Sequence, residues 1–160
     1  MSLADFFPDS IKEDFAERKI DIGKALFIEI PEFQISYKKY WIIVAINNSR
    51  KYIAGVIINT EINTNVARSE YLRSQHILIK QSDHSFLDYD SYVDCSKLQK
   101  RPYQDVYKAI VKNPKIVVGN VTDEMLRQIH LKITYNETIS EKEKKEFEER
   151  FENVKKQMFQ

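Results

Sequence analysis

Short runs of β-branched and other apolar residues, separated by turn-forming residues, constrain the fold of this chain most. Each run is long enough for one β-strand and too short for a well-packed helix. The runs predict strands over 24–30, 40–46, 51–58, 76–80, 91–98 and 116–118. Short strands in this number favour a mainly β (α+β) fold, built as a small barrel or folded sheet rather than a doubly wound α/β sheet.

Helices are predicted at both ends of this β region. Phe7, Ile11 and Phe15 are four residues apart, which predicts an amphipathic helix from about Pro8 to Arg18. Thr122 is a good helix N-cap, and acidic residues follow it where they favour the helix dipole. The stripe that this second helix should bury consists of Met125, Leu126, Ile129 and Ile133.

A further helix is predicted near the C-terminal end of the chain. Ser140 and Glu143 have the spacing of a capping box. The highly charged helix that follows carries one apolar seam, formed by Phe147, Phe151, Val154 and Met158. Packing against the core is the first interpretation of this seam, and a contact with a second copy or a partner is the other.

Length and composition predict a single domain over residues 1–160, located in the cytoplasm. The longest apolar run, 40–46, is far too short to span a membrane, and the first residues lack the pattern of a signal peptide. The net charge of +1 excludes a generic polyanion binder, so a nucleic-acid site would have to be local. Cys95 is the only cysteine and is interpreted as a small buried side chain.

Five stretches, taken in order, resemble the MazF/PemK-like (Kid-like) toxin family. The opening strand of that family is similar to GKALFIEI at 23–30, and the entry to its second strand is similar to KKYWIIV at 38–44. Its third strand ends in Thr, as does IINT at 57–60. DSYV at 90–93 and GNVTDEML at 119–126 resemble the family's Ser-containing strand entry and its closing helix.

The resemblance implies a fold, an activity and a set of partners. The fold would be an SH3-like antiparallel β barrel over 20–133 with a closing helix, and 134–160 would be a C-terminal helical extension. The activity would be metal-independent cleavage of single-stranded RNA, with no cofactor. The partners would be a second copy of the chain, forming a homodimer, and an antitoxin protein that blocks the site.

Site residues are predicted from this resemblance, from the chemistry that metal-free RNA cleavage needs, and from the aromatic rings near the basic loop. Lys39, Thr60 and Glu61 are the catalytic candidates, and Lys38, Lys39, Tyr37 and His84 are the RNA-binding candidates. Lysine ammonium groups would stabilise charge on the reacting phosphorus, and Thr60 would donate a hydrogen bond. The general acid and base stay open among Glu61, His84 and Asp94.

Each candidate also has an ordinary structural interpretation. The two lysines can be a solvated loop pair, and Thr60 can simply cap a strand. His84 lies in a polar turn and is expected to face water, whereas His76 and His130 are expected to be structural. The alternative function is therefore a non-catalytic SH3-like module that binds a protein or a nucleic acid. An enzyme, unlike such a module, needs a carboxylate or a histidine close to Lys39 and Thr60.

Overall fold

The structure is a computed structural model that describes residues 8–30 and 38–147. Its centre is one curled antiparallel sheet of six strands, in the spatial order β4-β5-β3-β2-β1-β6. The strands are β1 (Lys24–Glu29), β2 (Lys38–Ile46), β3 (Tyr52–Asn59), β4 (His76–Ile79), β5 (Ser91–Pro102) and β6 (Val117–Asn120). The prediction of a mainly β, antiparallel α+β fold is confirmed.

Five helices accompany the sheet in the described part of the chain. They are α1 (Asp9–Lys19), α2 (Glu70–Ser74), α3 (Tyr103–Lys112), α4 (Asp123–Thr134) and α5 (Glu141–Glu146). None of these helices is both long enough and apolar enough to cross a lipid bilayer. The predicted helices near 8–18 and after Thr122 are present, whereas the short helix α2 is not among the elements that the sequence predicts.

The sheet is covered by helices on two sides, and its residues therefore fall into two cores. Ile42, Val44 and Val56 pack with Ile129 and Ile133 of α4. The alternate residues of the same strands belong to a second core, with α1 and α3: Trp41, Ile43, Ile53, Ala16, Tyr103, Val106 and Ile110. Because successive side chains of a strand point to opposite sides, a strand covered on both sides must be apolar throughout. This explains why β2 is continuously buried from Trp41 to Ala45.

Trp41 and Gly55 fix the contact between β2 and β3. The indole ring lies directly over Gly55, so that a Cβ atom built on this glycine would be 2.1 Å from Trp41 Cε2. The pairing of β3 with β5 also shifts register between Gly55 and Ile57. The strand pairing is therefore irregular beside Gly55, and the missing side chain makes room for the tryptophan.

The helix caps predicted from the sequence are present in the structure. Thr122 Oγ1 accepts a hydrogen bond from the Met125 backbone N–H, and Ser140 Oγ accepts one from Glu143. Helix α5 ends at Glu146, and Phe147 is buried in the core beside α4. Core packing is thus the correct interpretation for Phe147. The rest of the predicted seam, Phe151, Val154 and Met158, lies outside the described residues.

Candidate functional site

A cavity of about 420 Å³ opens where β2, β3 and β5 approach α2 and the segment that precedes it. Strands β2, β3 and β5 contribute Lys39, Asn59 and Asp94 to its wall, and the segment after β3 contributes Thr60 and Glu61. The remaining lining residues are Ile57, Asn63, Val66, Ala67, Leu72, His76, Ser96 and Lys97. All three catalytic candidates, Lys39, Thr60 and Glu61, therefore line one cavity.

Lys39 is the half-buried cation of this cavity. Its Nζ donates a hydrogen bond to Asn59 Oδ1 on the neighbouring strand. Burial lowers the pKa of Lys39, and the nearby negative charge of Asp94 offsets part of that decrease. A partly desolvated ammonium group can stabilise an anionic group more strongly than a lysine in open water can, and the negative charge of Asp94 opposes part of this effect.

Asp94 is a carboxylate of the cavity wall that is oriented by hydrogen bonds. Its Oδ1 accepts hydrogen bonds from the backbone N–H of Ser96, at 2.9 Å, and from the Ser96 hydroxyl, at 2.6 Å. The side chain is 17% exposed, so it is reachable from the cavity but held in one orientation. These hydrogen bonds orient the carboxylate of Asp94 in the same cavity as the Lys39 ammonium group.

His76 was expected to be structural, but it also lies in the cavity wall. The ring Nδ1 is 2.9 Å from the carbonyl oxygen of Leu72, and Nε2 is 3.6 Å from Asp94 Oδ1. The His76 side chain is only 5% exposed. Sequence reasoning missed the His76–Asp94 pair because it depends on the register of β4 and β5, in which these two residues are direct partners.

The segment between β3 and α2 is held by its own side chains. Asn63 Oδ1 accepts a hydrogen bond from Asn65, and Arg73 Nη1 donates to the carbonyl of Ala67. Ser69 caps α2 by accepting a hydrogen bond from the Leu72 N–H. The contacts order the segment from Asn63 to Arg73, and the exposed residues Thr60 and Glu61, which precede it, line the same cavity.

Of the four RNA-binding candidates, Lys39 lines this cavity, and Lys38 and His84 lie elsewhere. Lys38 lines a different cavity, together with Leu26, Val106 and Arg101. This separation follows from strand geometry, because neighbouring residues of a strand point in opposite directions. Tyr37 lies outside the described residues.

His84 does not face water, contrary to the expectation from its polar surroundings. The residue is 3% exposed, and its Nδ1 is 3.0 Å from the carbonyl oxygen of Lys80. Its Nε2 accepts a hydrogen bond from the backbone N–H of Thr122, so the ring proton must lie on Nδ1 and be donated to Lys80. His84 therefore ties the turn after β4 to the start of α4, and it does not line the cavity.

Other groups with reactive side chains are placed in the core. Cys95 is fully buried, and burial raises the pKa of its thiol far above the range of reactive cysteines. His130 is buried with its Nε2 2.7 Å from the carbonyl oxygen of Val44, a structural contact as expected. Within residues 8–30 and 38–147, no cluster of three or more His, Cys, Asp or Glu side chains could hold a metal ion.

No protein-family model matches the chain, and no curated protein matches it.

Proposed function

We propose that this protein is a MazF/PemK-like, metal-independent endoribonuclease that cleaves single-stranded RNA in the cavity around Lys39. One observation carries the proposal: Lys39 and Thr60 share a cavity with Glu61, Asp94 and His76. A carboxylate or histidine beside the lysine and the threonine is what distinguishes an enzyme from a simple binding module. The fold proposed with this activity is an SH3-like barrel, of which the curled antiparallel sheet forms the main part.

The chemistry that suits these groups is attack by the ribose 2′-hydroxyl on the adjacent phosphorus. The reaction passes through a phosphorane that carries more negative charge than the starting phosphodiester. Lys39 Nζ supplies positive charge at that point, and the Thr60 hydroxyl supplies a hydrogen bond to a phosphate oxygen. Since a lysine lacks the planar fork of an arginine, positioning of the phosphate depends on Thr60 and Asn59 as well.

The proposed partners follow from the same resemblance. They are an antitoxin protein that covers the cavity and a second copy of the chain. Light scattering at high protein concentration tests the homodimer, and a particle with the mass of one chain at every concentration contradicts it.

A cleavage assay with matched lysine variants tests the proposed activity. Purified protein is mixed with a long unstructured RNA in buffer containing EDTA, and the rate of fragment formation is measured. Lys39→Ala should lower this rate by about 100-fold, the cost of removing one donor from a charged transition state. Lys108→Ala removes the same charge from an exposed position on α3 and should leave the rate unchanged.

The outcomes separate the two functions considered for this fold. Cleavage that Lys39→Ala abolishes, in a variant that melts like the wild type, supports the ribonuclease. Tight binding of RNA without any cleavage contradicts it and favours a binding module.

A further inference from the structure

Lys38 lines a cavity that is separate from the one around Lys39, and this β1–α3 cavity has a volume of about 470 Å³. It lies between strand β1 and helix α3, beside the second core of the protein. Its apolar lining residues are Leu26, Phe27, Ile28, Val106, Ala109 and Ile116. Cavities of roughly 300–1,000 Å³ with mostly apolar walls are typical of small-molecule sites.

One face of α3 forms a wall of the β1–α3 cavity. Val106, Ala109 and Lys112 follow one another at intervals of three residues, so they share that face. Ala109 carries only a methyl group, which leaves space between the helix and β1. Ile28 and Ile116 pack against the second core but are only partly buried, so apolar surface beside this core stays accessible to a ligand.

The β1–α3 cavity follows its two elements along their length. Val106 and Lys112 are six residues apart on α3, which corresponds to a rise of about 9 Å. On β1, the lining runs from Leu26 to Glu29, which spans about 10 Å. A space that extends along both a strand and a helix fits a linear chain better than a broad ring system.

Five of the lining residues are charged, and four of these charges balance. Glu29 and Lys38 are direct partners on β1 and β2. Arg101 and Asp105 lie on either side of the junction between β5 and α3. The fifth residue, Lys112, is in the last turn of α3, about two turns from Asp105. Lys112 therefore gives the cavity wall a net positive charge at one end.

The end of the cavity at Lys112 is suited to an anionic group. Leu26 pairs with Val117, so the start of β1 lies near this end of α3. Lys115 follows three residues after Lys112, and both are exposed. The C-terminal end of a helix carries about half a negative elementary charge, which these two lysines exceed. An apolar cavity with positive charge at one end matches a ligand that has an acyl chain and an anionic head group.

We propose that the β1–α3 cavity binds a linear fatty acid, with its acyl chain between β1 and α3 and its carboxylate at Lys112. Burial of the chain supplies most of the affinity, since each methylene that enters the cavity should lower Kd by about fourfold. Lys112 is exposed, so its charge fixes the orientation of the ligand and changes Kd by about two- to fivefold. The inference is independent of the proposed ribonuclease, because the two cavities share no residue in the described part of the chain.

Calorimetric titration of the full chain with hexanoate, octanoate, decanoate and dodecanoate, each below its micellar concentration, tests the acyl site. Kd should fall by about fourfold per methylene and level off once the chain fills the cavity. Decyltrimethylammonium has the same chain as decanoate but a positive head group, and it should bind at least about fourfold more weakly. Equal binding of these two ligands would overturn the assignment of an anionic head group.

Two variants locate the ligand in the cavity. Ala109→Leu places a branched apolar group in the space of the acyl chain and should raise Kd for decanoate by at least about tenfold. Lys112→Glu should raise Kd by at least about fourfold, because it replaces an attraction with a repulsion. Lys108→Glu is the matched control, since Lys108 is exposed on the same helix and does not line the cavity, so Kd should stay unchanged.

Several results would overturn the inference. A wild-type protein that binds none of the four acids shows that protein fills or covers the cavity. Equal Kd values for Lys112→Glu and Lys108→Glu remove Lys112 as the partner of the carboxylate. If Ala109→Leu does not fold, amide chemical shifts of the wild type with decanoate take its place. The largest changes should then fall in β1 and over 106–116, and changes concentrated elsewhere refute the site. RNA cleavage is assayed separately, so each of these failures leaves the proposed ribonuclease intact.

Discussion

His76 and Asp94 are direct partners on the neighbouring strands β4 and β5, and His76 Nε2 lies 3.6 Å from Asp94 Oδ1. This pair connects the outer edge of the sheet to the cavity that contains Lys39 and Thr60. A charged side chain beside a half-buried ammonium group should have measurable consequences for both activity and stability.

Lys39 should give the reaction an alkaline limit at a lower pH than an exposed lysine would. Burial lowers the pKa of Lys39, and in the proposed reaction it is the ammonium form that would stabilise the phosphorane. Activity should therefore fall as the pH rises through this lowered pKa. Lys39→Arg keeps its charge at high pH, so its activity, measured as kcat against pH, should fall only at a higher pH.

The same pKa shift predicts that the free energy of unfolding rises with pH, whereas the activity falls. Because the pKa of Lys39 is lower in the folded state, the unfolded chain binds more protons between the folded and unfolded pKa values. The contribution of Lys39 to the free energy of unfolding should therefore increase with pH in this window. Denaturation at several pH values measures the free energy of unfolding of the wild type relative to that of Lys39→Met, and this difference should rise with pH. A difference that falls as the pH rises contradicts the burial of Lys39.

Lys38 and Lys39 should differ in their effect on RNA cleavage. Lys38 lines another cavity, and Lys39 lines the one with Thr60 and Asp94. Lys38→Ala should therefore change kcat much less than Lys39→Ala does, although both remove one positive charge. Equal losses of kcat would mean that RNA is attracted by the summed positive charge of β2 and not bound specifically in the cavity around Lys39.

His84→Ala should destabilise the fold by roughly 1–3 kcal/mol, because the buried imidazole ring is lost and the Thr122 N–H and the Lys80 carbonyl lose their hydrogen-bond partner. Chemical denaturation measures this change in the free energy of unfolding. Ser82→Ala in the same turn is exposed and serves as the control. A stable His84→Ala protein that no longer binds RNA would show that His84 belongs to the site after all.

Gly55→Ala should lower the free energy of unfolding by about 1–3 kcal/mol, because the added methyl group would overlap the Trp41 ring. A double-mutant cycle tests the cause. In a Trp41→Leu background, the additional cost of Gly55→Ala should be much smaller, because the ring that it meets is absent. An equal cost in both backgrounds would show that Gly55→Ala destabilises the backbone conformation instead of clashing with the Trp41 ring.

The strands were predictable because their apolar runs are interrupted by strong turn signals, and Asn47 shows why. Its side chain accepts hydrogen bonds from the Lys51 and Tyr52 N–H groups and closes the β2–β3 turn. Helix α2 was missed because five residues are too few to show a helical period. The burial of His84 was missed because its polar neighbours lie at the surface while its own ring turns inward.

The candidate site was predictable only where the residues lie close to strand ends. Lys39 and Thr60 are adjacent to the ends of β2 and β3, which pair directly, so their proximity follows from a hairpin. His76 and Asp94 come together through the register of β4 and β5, which apolar periodicity does not determine. Neither a pattern of charges nor a motif in the sequence marks that pair.

The chemical nature of the fragment ends is the most direct test of the proposed ribonuclease. Wild-type protein is incubated with single-stranded RNA in EDTA, and the new ends are identified by enzymatic labelling and mass spectrometry. A metal-independent ribonuclease that uses the 2′-hydroxyl should leave 5′-hydroxyl ends and 2′,3′-cyclic phosphates, and should not cleave at a position where the 2′-hydroxyl has been replaced by hydrogen. Fragments with 5′-phosphate ends, cleavage at the 2′-deoxy position, or intact RNA after prolonged incubation would contradict it.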